Sequence, residues 1–285
     1  MENKRKKSPI FEVWHRLKKN RLSVVSLVVL ILLFLTALFA PLLAPHHYST
    51  LHPMNIFEGS SREFLLGTDR LGRDVLSRLL YGARQSLSIG IIAIGIAATV
   101  GTALGAVAGY FGKWVDNLSM RFLDIYQSIP MFLLAVTLAA ILGPSLRNAV
   151  IALGISMMPI YARIMRASVL TVREKEFVEA AKAINARSGR IILKHIVPNA
   201  MAPIIVEITM GMGTTILAGA ALSFIGLGVQ PPIPEWGAMI TDARGVMRQY
   251  PMLAMYPGVM IMLTVLSFNL LGDGLRDALD PRLKN

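Results

Sequence analysis

The run LSVVSLVVLILLFLTALFAPLLA, residues 22–44, carries no charged side chain, and no other feature constrains this chain more. About 20 consecutive apolar residues suffice for an α-helix to cross about 30 Å of hydrocarbon. Five further segments read the same way: 87–109, 118–143, 148–170, 199–228 and 252–272. Apolar residues make up 54% of the chain and charged residues only 16%, against about a quarter charged in an ordinary soluble domain. The expected architecture is an all-α polytopic membrane protein with six transmembrane helices. The first run exceeds the apolar core of a signal peptide, about 7–15 residues. Pro41 and Pro45 stand where small residues would have to present a cleavage site. It is read as a retained span.

The net charge of +12 suggests a nucleic-acid partner until the charges are located. Of the 29 basic residues, 21 fall before the first span, around Lys113 and Arg121, between Arg163 and Lys194, or in the tail, and all ten lysines are among them. The positive-inside rule then places both termini and the 171–198 loop in the cytoplasm. The charge orients a membrane protein and meets anionic lipid; no nucleic acid is expected. With no cysteine in the chain, disulfides, thiol chemistry and Cys-based metal sites are excluded.

Residues 1–21 form a basic segment in which Trp14 and Leu17 share a helical face, as in a helix lying along the inner leaflet; a flexible basic topology signal is the alternative. Residues 22–285 are expected to form one transmembrane domain with extracytoplasmic loops at 45–86 and 229–251. In the first loop Leu76, Leu79, Leu80 and Ala83 recur at helical spacing, so a short helix is predicted to lead into the second span. Gly101, Gly105 and Gly109 form a small-xxx-small ridge in that span. Gly211, Thr215, Gly219 and Ser223 repeat the pattern in the fifth, for close approach of another helix.

Between two apolar spans lies the polar stretch 171–198. Thr171 and Glu174 fit a capping box, so a helix is predicted from near Val172. Asn185 suits a left-handed corner, and a second helix, from about Arg187 to Val197, is predicted to stop at Pro198. Ala180 and Ala181 leave one flank thin enough for another protein to approach, with Glu179 beside it. The residues alone leave open a solvated hairpin in which Glu179 pairs with Lys175 or Lys182.

Glu179-Ala180-Ala181, Asn185 and His195-Ile196-Val197-Pro198-Asn199 together resemble the signature loop of ABC importer permeases. That family usually has glycine where Asn185 stands. GTDRLGRDVLSRLLYGARQSL (67–87), MRFLDIYQSIP (120–130), ALSFIGLGVQPPIPEWGAMI (221–240) and FNLLGDGLRDALDPR (268–282) resemble the dipeptide/oligopeptide/nickel branch, and within it the second, shorter permease of a pair. The resemblance implies the type I ABC importer transmembrane-domain fold. It also implies a coupling role for 179–199 toward one or two separate ATP-binding subunits, which would hold ATP and Mg. Its remaining implications are a second homologous permease, an extracytoplasmic solute-binding protein, a bacterial or archaeal cytoplasmic membrane, and small peptides as cargo. A nickel or metal-chelate importer is the same-fold alternative.

No Walker A is present: before Gly112-Lys113 the first glycine is replaced by Val107, and Trp114 follows. The chain is therefore not expected to be an enzyme or to hold a cofactor itself. His46, His47 and His52 fit no common metal-ligand spacing and are read as a turn. Glu207, the one acid read as lying well inside a span, either lines the substrate path or makes an interhelical hydrogen bond. Arg121 and Asp124 are expected to pair with each other or with Arg163 and Arg166. A gradient-driven transporter would show inverted repeats and paired intramembrane acids, and the sequence supplies neither.

Overall fold

The computed structural model describes residues 9–280, so Lys4 to Lys7, Arg282 and Lys284 lie outside the described residues. Among these the chain is helical apart from loops and one isolated bridge, Thr68 to Asp74. In hydrocarbon every backbone N–H and C=O needs a partner within the segment, which a helix provides. Helix α1 (Pro9–Leu17) leads into α2 (Arg21–Leu38). Asn20 caps α2, its Oδ1 accepting from the amides of Leu22 (3.1 Å) and Ser23 (3.3 Å). Pro41 has no N–H for the Ala37 carbonyl, so the run breaks at Phe39 and resumes as the one-turn α3 (Ala40–Leu43). The exposed face of α2 is Leu22, Val25, Val28 and Leu32, whereas Ser23 and Ser26 are buried. That inversion suits a helix solvated by lipid, where small polar residues face neighbouring helices.

Helix α4 (Val75–Phe111) has 37 residues, about 55 Å at 1.5 Å per residue. Its first turns therefore project beyond the hydrocarbon, and the predicted short lead-in helix is continuous with the span. After Gly112 come α5 (Lys113–Tyr126) and α6 (Met131–Leu142), then α7 (Leu146–Val172). Next are α8 (Glu176–Ala183), α9 (Ser188–Ile191), α10 (Val197–Ala200), α11 (Ala202–Phe224), α12 (Trp236–Ala243) and α13 (Met252–Leu279). Five of these, α2, α4, α7, α11 and α13, are long and apolar enough to cross a membrane singly. The sixth expected span is not one straight helix: α5 and α6 meet at a bend of 80° around Pro130. Loop 45–86 gives way to α4 at Val75, loop 229–251 contains α12, and α7 runs past Thr171 to Val172.

Helices α4, α7 and α11 form the centre of the bundle around the fully buried Tyr161. A Cβ at Gly101 would meet Met158 and Tyr161, one at Gly105 the backbone of Ala162 and Arg166, and one at Gly109 the side chain of Val169. Gly211 abuts Tyr161, and Gly219 abuts Ile89. The small residues allow three helices to share one axis of contact. Overpacking a tight core costs about 1–3 kcal/mol, and at Gly105 the obstruction is backbone, which cannot rotate away. Gly105→Leu is expected to lower the melting temperature of the detergent-extracted chain in fluorescence-detected size exclusion. Gly95→Leu, where nothing lies within 4 Å, should leave it in place.

α13 closes the bundle against α2: Ser23 Oγ donates to the Leu270 carbonyl at 3.1 Å, and Gly274 packs on Ser23 and Leu17. α1 and the end of α13 are therefore on one side, called the basic side, with α8 to α10. On the far side, loop 44–74 wraps the buried Phe64, on which His46 stacks at 5.2 Å and His52 sits edge-on at 5.1 Å. His47 packs at a tilt against Tyr48, ring centroids 4.3 Å apart. Glu235 caps α12 while 1% exposed: it accepts from the amides of Gly237 and Ala238 and from Ser86 Oγ, all within 2.9 Å. Trp236 donates Nε1–H to the Leu79 carbonyl at 3.1 Å, seated against Gly82.

Candidate functional site

The basic-side hairpin starts later than the sequence predicts. Thr171 Oγ1 donates to the Ala167 carbonyl inside α7, so the Thr171–Glu174 capping box does not form, and α8 starts at Glu176. Glu176 and Glu179 occupy its first turn, where acidic charge complements the helix dipole. At its end Asn185 adopts φ 56°, with Asn185 N–H donating to Lys182 O at 2.9 Å and Ala186 N–H to Ala181 O at 3.1 Å. This pair of bonds is the Schellman arrangement, which needs a left-handed residue at that position. Val178 and Ala181 are buried against Ile191, Ile192 and Ile196. Ala181 therefore belongs to the inner face; Ala180, Glu179 and Ala183 form the outer one. Ile184 projects beside the corner, 80% exposed. Among the described residues Glu179 has no ion pair with Lys175 or Lys182.

Pro198 does not end the second helix. Residues Ile192–Ile196 form a wider π-helical turn, Val197 N–H bonds to Ile192 O, and α10 continues through Pro198 to Ala200. A widened turn removes the clash and missing bond that a proline creates in a regular α-helix. Asn199 Nδ2 donates to the His195 carbonyl at 2.7 Å.

Glu207 lies only five residues into α11 rather than deep in the span. It lines a pocket of about 580 Å³ between the basic-side ends of α7, α11 and α13, with Ser168, Lys175, Asn199 and Arg276. Two further acids pair with arginines of α7. Arg166 grips Asp116 with Nε and Nη2, the second contact at 2.6 Å, and Arg163 Nη2 donates to Asp124 Oδ1 at 2.7 Å. The Arg163–Asp124 pair borders a recess of about 410 Å³ at the α5–α6 break, with Tyr126, Gln127, Ser128 and Ser156. The sequence does hold a signal for both pairs: Asp116 and Asp124 lie on one amphipathic helix, and Arg163 and Arg166 interrupt an apolar span. Only a fold tells which acid meets which cation.

Residues 101–285 match the family described as binding-protein-dependent transport system inner membrane component. Residues 8–59 match the N-terminal TM domain of oligopeptide transport permease C. The dipeptide transport system permease protein DppC of Alkalihalophilus pseudofirmus is 50% identical over 278 residues, 98% of this chain and 91% of that protein. The di/tripeptide transport system permease protein DppC of Pseudomonas aeruginosa is 45% identical over 284 residues, 98% and 94% of the two chains. The glutathione transport system permease protein GsiD of Escherichia coli is 43% identical over 279 residues, 98% and 92%. Among solved structures, the inward-facing MetNI methionine ABC transporter matches with a TM-score of 0.57 at 18% identity, over 71% of this chain and 96% of that one. An amino acid ABC transporter matches at 0.55 and 16% identity, over 70% and 94%. These likenesses show the type I ABC importer transmembrane fold. With its helical bundle and the family match over most of its length, this chain belongs to the inner membrane components of binding-protein-dependent transport systems.

Proposed function

We propose that this chain is one of two paired permease subunits of an ATP-driven importer that carries small peptides inward. Three relatives named for dipeptides, di/tripeptides and glutathione support the cargo class. The observation that carries the coupling role is the outer face of the basic-side hairpin, where Glu179 has no ion pair among the described residues and Ala180 and Ile184 are exposed. A solvated hairpin would neutralise Glu179 locally and keep its tip polar; an exposed apolar patch beside an unpaired charge marks a protein contact. The basic side faces the cytoplasm. Separate ATPase subunits, which bind ATP and Mg, dock on residues 179–199, and a solute-binding protein delivers peptide to the far side.

The test is gentle affinity purification of the tagged chain from native membranes. Recovery of a second permease with one or two ATPases supports the assembly. A stable oligomer of this chain alone, which added ATPases never join, overturns it. Uptake by the recovered complex then separates peptide from nickel as cargo.

Glu207 and its pocket form the cytoplasmic mouth of the path. Glu207→Gln is expected to raise the KM for peptide uptake two- to fivefold, measured in proteoliposomes. Unchanged kinetics would remove Glu207 from the path.

A further inference from the structure

We propose that the recess at the α5–α6 break is a transient site for the charged ends of a peptide, Arg163 receiving the terminal carboxylate and Asp124 the terminal ammonium. This rests on the peptide-importer reading and names residues for it. Arg163 interrupts the apolar run of α7 four residues after Pro159, about 6 Å along the axis, on the side of the bundle nearer the basic hairpin. An ionised pair set into an apolar span is costly unless it faces a wet cavity, and this one opens onto the recess.

The two α5–α7 ion pairs differ in a way that separates clamp from site. Arg166 engages Asp116 with two nitrogens, and their side chains are 33% and 14% exposed. Arg163 and Asp124 share a single hydrogen bond and are 46% and 66% exposed. Arg163 therefore keeps N–H donors, and Asp124 a second oxygen, for another partner. A zwitterion inserted between them exchanges one ion pair for two and leaves no charge unpaired. No neutral or singly charged cargo offers that exchange.

The wall of the recess suits the rest of a small peptide. The helix break puts irregular backbone beside the bundle, which is tolerated within an apolar span where it lines a cavity. Gln127 and Ser128 lie at that break. Tyr126 Oη lies beside Ser156, whose Oγ donates to the Ala152 carbonyl at 2.7 Å and so can only accept from the phenol. The two hydroxyls and Gln127 give the recess a polar wall for a peptide amide. The volume, about 410 Å³, falls within the roughly 300–1,000 Å³ of small-molecule sites.

The experiment uses the complete transporter in proteoliposomes with its binding protein, ATP and labelled Ala-Ala. Arg163→Gln and Asp124→Asn are each expected to lower peptide taken up per ATP hydrolysed tenfold or more. If uptake and hydrolysis instead fall in step, or neither changes, the pair is a helix clamp and the proposal is overturned. Because the chain has no cysteine, Ser128→Cys gives a second measurement should those variants fail to assemble. Its labelling in this chain by a cationic thiol reagent should slow when peptide-loaded binding protein and ATP are supplied; labelling unaffected during active uptake would likewise overturn the proposal. Absence of Ala-Ala uptake by the unmodified transporter, with uptake of another cargo, would sink the peptide reading itself, before any variant is compared.

Discussion

Glu179→Lys is expected to reduce ATP-driven peptide uptake by tenfold or more while the chain still inserts and extracts as a folded protein. Glu179 is exposed on α8 and makes no ion pair among the described residues, so within them its charge acts only on the α8 dipole, a term of under about 1 kcal/mol at an exposed site. Its reversal acts on whatever docks there. Losing one partner of an interfacial charge pair costs about 2–5 kcal/mol, and each 1.4 kcal/mol is about tenfold in affinity. The substitution also places like charges opposite each other. The measurement is uptake and peptide-stimulated ATP hydrolysis in the same membranes, with co-purification of the ATPases as the binding readout. Uptake at the unmodified rate would remove Glu179 from the coupling contact, while Ile184 would still have to be tested.

The largest stability effect is expected at Asp242. Arg73 and Arg78, both at least 95% buried at the side chain, each donate to Asp242 Oδ2, at 3.0 Å and 3.2 Å, and Arg70 approaches Oδ1 at 3.4 Å. Asp69 would then be, among the described residues, the one remaining carboxylate paired with the two buried cations, held to Arg73 Nε at 2.6 Å and to Arg78 at 3.5 Å. Asp242→Ala leaves two buried guanidinium groups short of negative charge. Breaking a buried pair from one side costs about 3–5 kcal/mol. The same cluster joins loop 44–74 to α12, so the cap on the far side should loosen first. Thermal unfolding of the purified chain and limited proteolysis of the loop would measure this. Asp242→Asn, which keeps acceptor geometry without charge, should fall between. A melting temperature unchanged in Asp242→Ala would mean that the arginines are solvated in the native membrane assembly.

The membrane-crossing helices were legible because their signal is local: a continuous apolar run and its length decide the matter residue by residue. Asn185 was legible for the same reason, since a left-handed helix end is a one-residue preference. The kink at Pro130 was not, although the proline was visible, because a proline permits a break without dictating an 80° turn. Nor was the π-helical passage through Pro198, which depends on Ile192 and Ile196 being held against α8. Ala181 was placed on the wrong face for a related reason. Two adjacent alanines look alike until the hairpin closes and buries one of them.

The charges divide along the same line. Their distribution along the chain set the expected orientation, because topology follows from how many lysines and arginines flank each span. Their partners were set by the bundle. Arg163 and Asp124 lie 39 positions apart, and Arg78 and Asp242 lie 164 apart. Helical periodicity carries information over a few turns and none over such distances. The sequence by itself thus determined that this chain crosses a membrane repeatedly and carries a basic helical hairpin between spans. Only the tertiary structure decided which charges are clamps, which face a recess, and where Glu207 stands, because those depend on how helices cross.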